Sequence, residues 1–198
     1  MNQAPRHFVP RLWVMSDRAR LPDLATIIPH LPTNCGLVLR DYDAPARTAY
    51  AQHLHHLARQ HNVRLCIGGD GRLAYHLRCG WHQPAWMLRR AAYDRACGVR
   101  TASVHNVREL KRAAQNGCDA VFIAPIFATK SHPNTGHPNT GTGATLGVVR
   151  ATALAQLARR HQLLPIALGG LTHRNWQRLT GNDQNLWHGF AAIGFFAL

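Results

Sequence analysis

Acidic side chains are scarce. Asp and Glu together number nine in 198 residues, against 23 Lys and Arg. A protein-built cage for a hard divalent cation collects several carboxylate oxygens, so a magnesium site here would have to rest on one or two carboxylates beside substrate phosphates. Lysine is rarer still: Lys111 and Lys130 are the two present. The net charge of +14 therefore comes from arginines spread over every expected helix. That scatter argues against a nucleic-acid stripe, while a positive field suits a small anionic ligand. Five cysteines, Cys35, Cys66, Cys79, Cys97 and Cys118, are odd in number and never spaced Cys-x-x-Cys. Neither a zinc ribbon nor a disulfide framework is signalled, and they read as buried small hydrophobes. No apolar run approaches the roughly 18 to 20 residues that span a bilayer, and residues 1–10 lack the apolar block of a signal peptide. The expectation is a cytoplasmic protein without membrane contact.

What is present is alternation. Short apolar runs at 11–17, 36–41, 63–68, 80–84, 99–105, 120–127, 164–170 and 189–195 are separated by helical patterns. Residues 46–61 carry Ala49, Tyr50, Leu54, Leu57 and Ala58 at helical spacing, and 107–116 place Leu110, Ala113 and Ala114 on one face. Strand then helix, repeated, predicts a parallel sheet with helices packed outside it. Eight runs predict a closed single-domain (β/α)8 TIM barrel over residues 1–198; an open doubly wound sheet is the alternative. The run around Trp81 is the weakest. The eighth helix is short or absent, leaving an edge for the N-terminal segment or for a second subunit in a homodimer.

Residues 131–143 oppose both helix and strand and contain a tandem repeat, His-Pro-Asn-Thr-Gly at 132–136 and again at 137–141. They read as a flexible loop after strand six, by replication slippage, as a lid, or both.

Candidate site residues fall at strand ends. Gly169 and Gly170 close strand seven before Thr172, a candidate N-cap; two glycines and a helix start admit a phosphate, and Gly194 after strand eight offers a second close approach. A simple turn explains Gly-Gly equally. Period-two alternation puts Val38, Arg40 and Tyr42 on one side of strand two. If that side faces the interior, Arg40 is a fixed cation at the mouth, suited to pyrophosphate; otherwise it pairs with Asp41 or Asp43 on the surface. The same rule puts Ser103 and His105 together at the end of strand five, where a histidine can move a proton near neutral pH. Asp70, after strand three, is the carboxylate best placed for a metal, though Gly-Asp-Gly also makes a turn.

The stretches 13–17, 39–41, 102–106, 116–120, 124–129, 167–172 and 189–193 together resemble, in order, the thiamine phosphate synthase/TenI superfamily. The resemblance implies a barrel that joins an aminopyrimidine pyrophosphate to a thiazole phosphate, with Mg2+ stabilising the departing pyrophosphate. It implies Arg40 on pyrophosphate, Ser103 near the pyrimidine or pyrophosphate, Thr129 and Ser131 on the loop after strand six, and Gly169, Gly170 and Gly194 on the thiazole phosphate. The chain departs from the synthase pattern. Val38 and Tyr42 replace a Gln and a Lys, Gly68-Gly69 replaces Asn-Asp with Asp70 one place later, Gln83-Pro84-Ala85-Trp86 replaces an acidic segment, and Ser131-His132 replaces Thr-Lys. Three readings follow: a divergent synthase using Arg40, Asp70 and His132; a TenI-like thiazole tautomerase with His105 as acid and base and no metal; or a barrel that binds a phosphorylated ligand without chemistry.

Overall fold

In a computed structural model the chain forms a closed barrel of eight parallel strands in sequential order. The structure describes residues 7–18, 20–21, 23–89, 98–128, 145–181, 183 and 185–193. The strands are β1 (Leu12–Met15), β2 (Gly36–Leu39), β3 (Arg64–Gly68), β4 (Gly80–Gln83), β5 (Arg100–Val104), β6 (Ala120–Ile123), β7 (Leu164–Leu168) and β8 (Gly189–Ala192). Closure is made by β1 against β8, in the register Leu12 to Phe190, Trp13 to Ala191 and Val14 to Ala192. The weakest expected strand, around Trp81, is formed and paired on both sides. The open-sheet alternative is excluded.

The helices are α1 (Leu24–Ile27), α2 (Arg47–Gln60), α3 (Gly71–His76), α4 (Val107–Gln115), α5 (Gly147–Arg160) and α6 (His173–Thr180). Four of them start where a side chain can accept a backbone N–H: Asp23, Asp70, Asn106 and Thr172 cap α1, α3, α4 and α6. In α5, Ala151, Leu154, Ala155 and Ala158 recur at helical spacing and are buried against the outer face of the sheet. Among the described residues no helix is long and apolar enough to cross a membrane. An eighth helix would begin at residues 194–198, which lie outside the described residues, as do 131–143.

Alternation along the strands sorts side chains between the outer layer and the barrel interior. Trp13, Met15, Val38, Cys66, Ala120, Phe122, Ile166 and Ala191 fill the interior as one apolar cluster. The Trp13 indole donates to the Pro10 carbonyl at 2.7 Å and meets Phe122 edge-on with centroids 5.3 Å apart. Gly36 faces that indole, and a Cβ there would lie inside its ring. Cys35, Cys66, Cys79 and Cys118 are buried, and burial pushes the thiols of Cys35 and Cys118 up to about 12 and that of Cys66 well above its ordinary value. These three raised thiols are packing groups, unreactive near neutral pH.

A polar network at the C-terminal mouth of the barrel

Above the apolar plug the interior turns polar. His82 on β4 is 1% exposed, and its ring is held between two hydroxyls of β5, with Nδ1 2.8 Å from Thr101 Oγ1 and Nε2 2.9 Å from Ser103 Oγ. Register explains the triangle: His82 pairs with Thr101 across the β4–β5 ladder, and Ser103 is two residues further on the same face. Phe122 packs edge-on below the imidazole, centroids 5.2 Å apart. Burial first, and then the Arg40 charge, push the His82 pKa down to about 3. The ring is therefore neutral, one nitrogen donating to a hydroxyl and the other accepting.

Arg40 follows the last residue of β2 on the same side as the inward-facing Val38. Its guanidinium donates through Nε and Nη2 to the Ser16 carbonyl at 3.2 and 3.0 Å, and its own N–H donates to Ser16 Oγ at 2.7 Å. The cation is thus tied to the end of β1 by a neutral acceptor. The expected surface pair with Asp41 or Asp43 is not how Arg40 is held. Asp41 instead lines a cleft of about 570 Å³ between the loops after β1 and β2, together with Ser16, Asp17 and Tyr50.

Arg47 opens α2 and laces the ends of β2 and β3 together. It donates to the carbonyls of Asp41 and Gly68 at 3.0 and 2.6 Å and lies 4.0 Å from Asp70 Oδ2. The other carboxylate oxygen of Asp70 accepts the Leu73 N–H at 2.9 Å and caps α3. Tyr42 lies against the turn after β3: a Cβ on Gly69, whose φ is +73°, would come within 3.0 Å of the Tyr42 ring. A side chain at 69 would press on the Tyr42 ring, whereas at 68 the nearest obstacle is the Leu39 carbonyl, 2.8 Å from a Cβ, with the Tyr42 ring at 3.3 Å.

His105 lies just beyond β5, and its neighbours differ from those expected. Nδ1 donates to the carbonyl of Ala124, the residue before the cis Pro125, while the His105 N–H donates to Glu109 Oε2 at 2.7 Å. Glu109 in turn accepts from Asn106 Nδ2 at 3.0 Å. A carbonyl can only accept, so the bond fixes the proton on Nδ1 and leaves the Nε2 lone pair of the neutral ring available. Ser103 gives its hydroxyl to His82 instead. The alternation that placed Ser103 beside His105 holds only inside the strand, and β5 ends at Val104.

Gly169 and Gly170 have φ of +100° and +63°. A Cβ on Gly169 would meet Pro125 Cα at 2.8 Å, and one on Gly170 would run into the Ala128 carbonyl. These glycines let the turn after β7 pack against the chain leaving β6, which itself donates from Phe127 to the Gly169 carbonyl at 3.1 Å. Thr172 and Asn175 form a reciprocal capping box at the start of α6, and Asn175 Nδ2 donates to the Gly170 carbonyl at 2.7 Å. Thr129, Ser131, His132 and Gly194 lie outside the described residues.

Three residues of the mouth escape a strand-by-strand reading: His82, Ser16 and Arg47. The signal for His82 was its place between Trp81 and Gln83 on the inward parity of β4, but it was one of 14 histidines. Ser16 meets Arg40 through both its hydroxyl and its carbonyl, and Arg47 acts through backbone carbonyls, contacts that leave no pattern in the sequence.

The family whose model is described as thiamine monophosphate synthase matches residues 35–191. The chain is 25% identical over 196 residues to a protein of Aquifex aeolicus (strain VF5) named "Putative thiamine-phosphate synthase 2", spanning 95% of this chain and 98% of that one. It is 30% identical over 177 residues to a thiamine-phosphate synthase of Roseiflexus castenholzii, spanning 83% of this chain and 72% of the relative. Among solved structures, a thiamine phosphate pyrophosphorylase from Pyrococcus furiosus superposes with a TM-score of 0.66 at 16% identity, over 93% of this chain and 85% of the other. An HpcH/HpaI aldolase from Desulfitobacterium hafniense superposes with a TM-score of 0.59 at 13% identity, over 93% and 86%. At such identities these structures speak for the barrel alone.

Proposed function

The chain belongs to the thiamine monophosphate synthase family, and from that premise we propose that it is a divergent thiamine phosphate synthase, joining an aminopyrimidine pyrophosphate to a thiazole phosphate. The observation that carries this reading is Arg40, a cation fixed at the strand ends by the Ser16 carbonyl. In the reaction the bond from the pyrimidine's carbon to the pyrophosphate oxygen breaks, the oxygen keeping the electron pair, and the thiazole nitrogen bonds to the freed carbon. Charge grows on the leaving pyrophosphate, and a guanidinium held in advance stabilises it without reorganising. His82, neutral and buried, orients Ser103 towards the same mouth.

Magnesium is implied by the family's chemistry. Among the described residues no three His, Cys, Asp or Glu come together to hold a metal. Asp70 spends one oxygen on capping α3 and directs the other towards Arg47. The described residues offer no three-ligand cage, so a magnesium ion here would be held chiefly by the substrate's own phosphates with Asp70 as the nearby carboxylate, and Arg40 would share the pyrophosphate charge.

One observation favours a second reading, a TenI-like thiazole tautomerase. His105 has its tautomer set by the Ala124 carbonyl, which is the arrangement a general base needs.

Purified protein incubated with both synthase substrates, with and without magnesium, tests the first reading. Thiamine phosphate appearing with wild type and falling about 100-fold with Arg40→Ala supports it. No product under either condition, from protein that still binds thiazole phosphate, removes the synthase reading. Proton exchange into the thiazole carboxylate phosphate would then decide between the tautomerase and a silent binding barrel.

A further inference from the structure

The other end of the barrel carries a second cleft, of about 860 Å³. It lies between the last turns of α2 and α3 and the starts of β3, β4 and β5, so the barrel plug of Trp13 and Phe122 separates it from the mouth that holds Arg40. Its lining includes Arg59, Arg64, Arg78, His55 and His76, and no lining residue is Asp or Glu.

Part of this charge has a structural use. Arg59 and His76 sit in the last turns of α2 and α3, where a cation offsets the negative end of the helix dipole. Each helix end amounts to roughly half a charge, so two ends are balanced by about one cation. The lining holds three arginines, Arg59, Arg64 on β3 and Arg78 in a left-handed turn after α3 with φ +52°, so about two of these charges are surplus to that balance. Burial and the adjacent Arg59 charge also lower the His55 pKa, as expected in a field that is already positive.

The cleft also holds an aromatic surface. Phe8 is 56% exposed, and Arg64 stands over it at 5.9 Å from the ring centroid. Guanidinium groups that recognise phosphate, beside a ring on which a flat heterocycle can stack, match a ligand carrying both features. The volume is within the range of small-molecule sites.

We propose that this cleft binds a phosphorylated aromatic small molecule of the nucleotide class, with Arg59 and Arg78 taking its phosphates and Phe8 its ring. The site is remote from the catalytic mouth and independent of the reaction performed there.

Calorimetric titration of the full-length protein with ATP, inorganic tripolyphosphate and a ten-nucleotide single-stranded DNA tests it, at low salt where phosphate contacts are strongest. ATP is expected to bind wild type and Arg40→Ala equally, and Arg59→Ala/Arg78→Ala at least about tenfold more weakly. Phe8→Leu should weaken ATP several-fold while leaving tripolyphosphate unchanged. Since Arg59 and Arg78 are exposed, circular dichroism should show their variants folded; Arg59→Gln and Arg78→Gln, tested singly, serve if the double variant is not. No saturable ATP binding at millimolar concentration overturns the proposal. So does binding lost with Arg40→Ala but kept by the Arg59 and Arg78 variants, because the anion is then at the other mouth. Tripolyphosphate binding as tightly as ATP overturns the aromatic part, and DNA binding far more tightly than ATP overturns the small-molecule class.

Discussion

Ser103 Oγ lies 2.9 Å from His82 Nε2, and this contact joins a strongly depressed histidine of the barrel interior to the mouth above it. A neutral imidazole between two hydroxyls leaves no ring nitrogen unsatisfied in a place where an unmade hydrogen bond is costly.

The first prediction concerns acid stability. The folded pKa of His82 is about 3 against 6.5 unfolded. Between those values the unfolded chain binds the extra proton, so stability falls as pH drops from about 6.5 towards 3. His55 and His188 are shifted down as well and act in the same direction. Asp23, held low by Tyr50, loses its contribution near the bottom of the window, below its unfolded value of 3.8. Denaturant midpoints measured from pH 7 to 4 should decrease steadily in wild type and less steeply in His82→Gln; equal slopes would remove His82 as a cause.

His82→Ala should destabilise the protein by about 2–4 kcal/mol, since it opens a cavity and orphans the Thr101 and Ser103 hydroxyls. Ser103→Ala alone should cost about 1 kcal/mol. The double variant should cost less than the sum, because the shared bond is lost once. Strict additivity in urea denaturation would show that the contact has no energetic weight.

Gly170→Ala places a Cβ against the Ala128 carbonyl in a backbone with φ +63°. The expected loss is at least about 2 kcal/mol, several degrees in Tm for a domain of this size. A thermal melt unchanged by the substitution would show that the chain leaving β6 gives way freely.

Gly69→Asp restores one side chain of the synthase pattern but meets the Tyr42 ring. It should destabilise the protein by about 1–3 kcal/mol, and adding Tyr42→Lys should recover part of the loss through relief of the clash. No recovery in the double variant would separate the two departures.

His105→Asn should abolish tautomerase turnover while leaving thiazole phosphate affinity within about twofold, and should slow a synthase far less, since its main barrier is pyrophosphate departure. Rates and ligand titrations on the same preparation separate these outcomes. Activity that survives in the proton-exchange assay takes His105 out of the proton transfer.

The chain's eight strands were legible because each is a short buried run, and because period-two alternation within a strand is local geometry. That logic put Arg40 on the side of Val38, set the cap at Thr172, and bounded α2 and α4 to within a residue of where they lie; the cap at Asp70, read from sequence as a metal carboxylate or a turn, came from the structure. It stopped at strand ends. One residue beyond β5, His105 turned to a carbonyl of β6's loop, and Ser103 bonded a histidine 21 positions back in the chain. Gly169 and Gly170 read as a close backbone approach for a phosphate; the close approach seen in the structure is that of the Pro125 and Ala128 backbone. Local sequence determined which faces are buried and where helices begin, since those depend on side-chain period and on the nearest backbone N–H. Closure of the barrel decided the rest: it set which strand ends meet, and so which hydroxyl, ring nitrogen and guanidinium find one another.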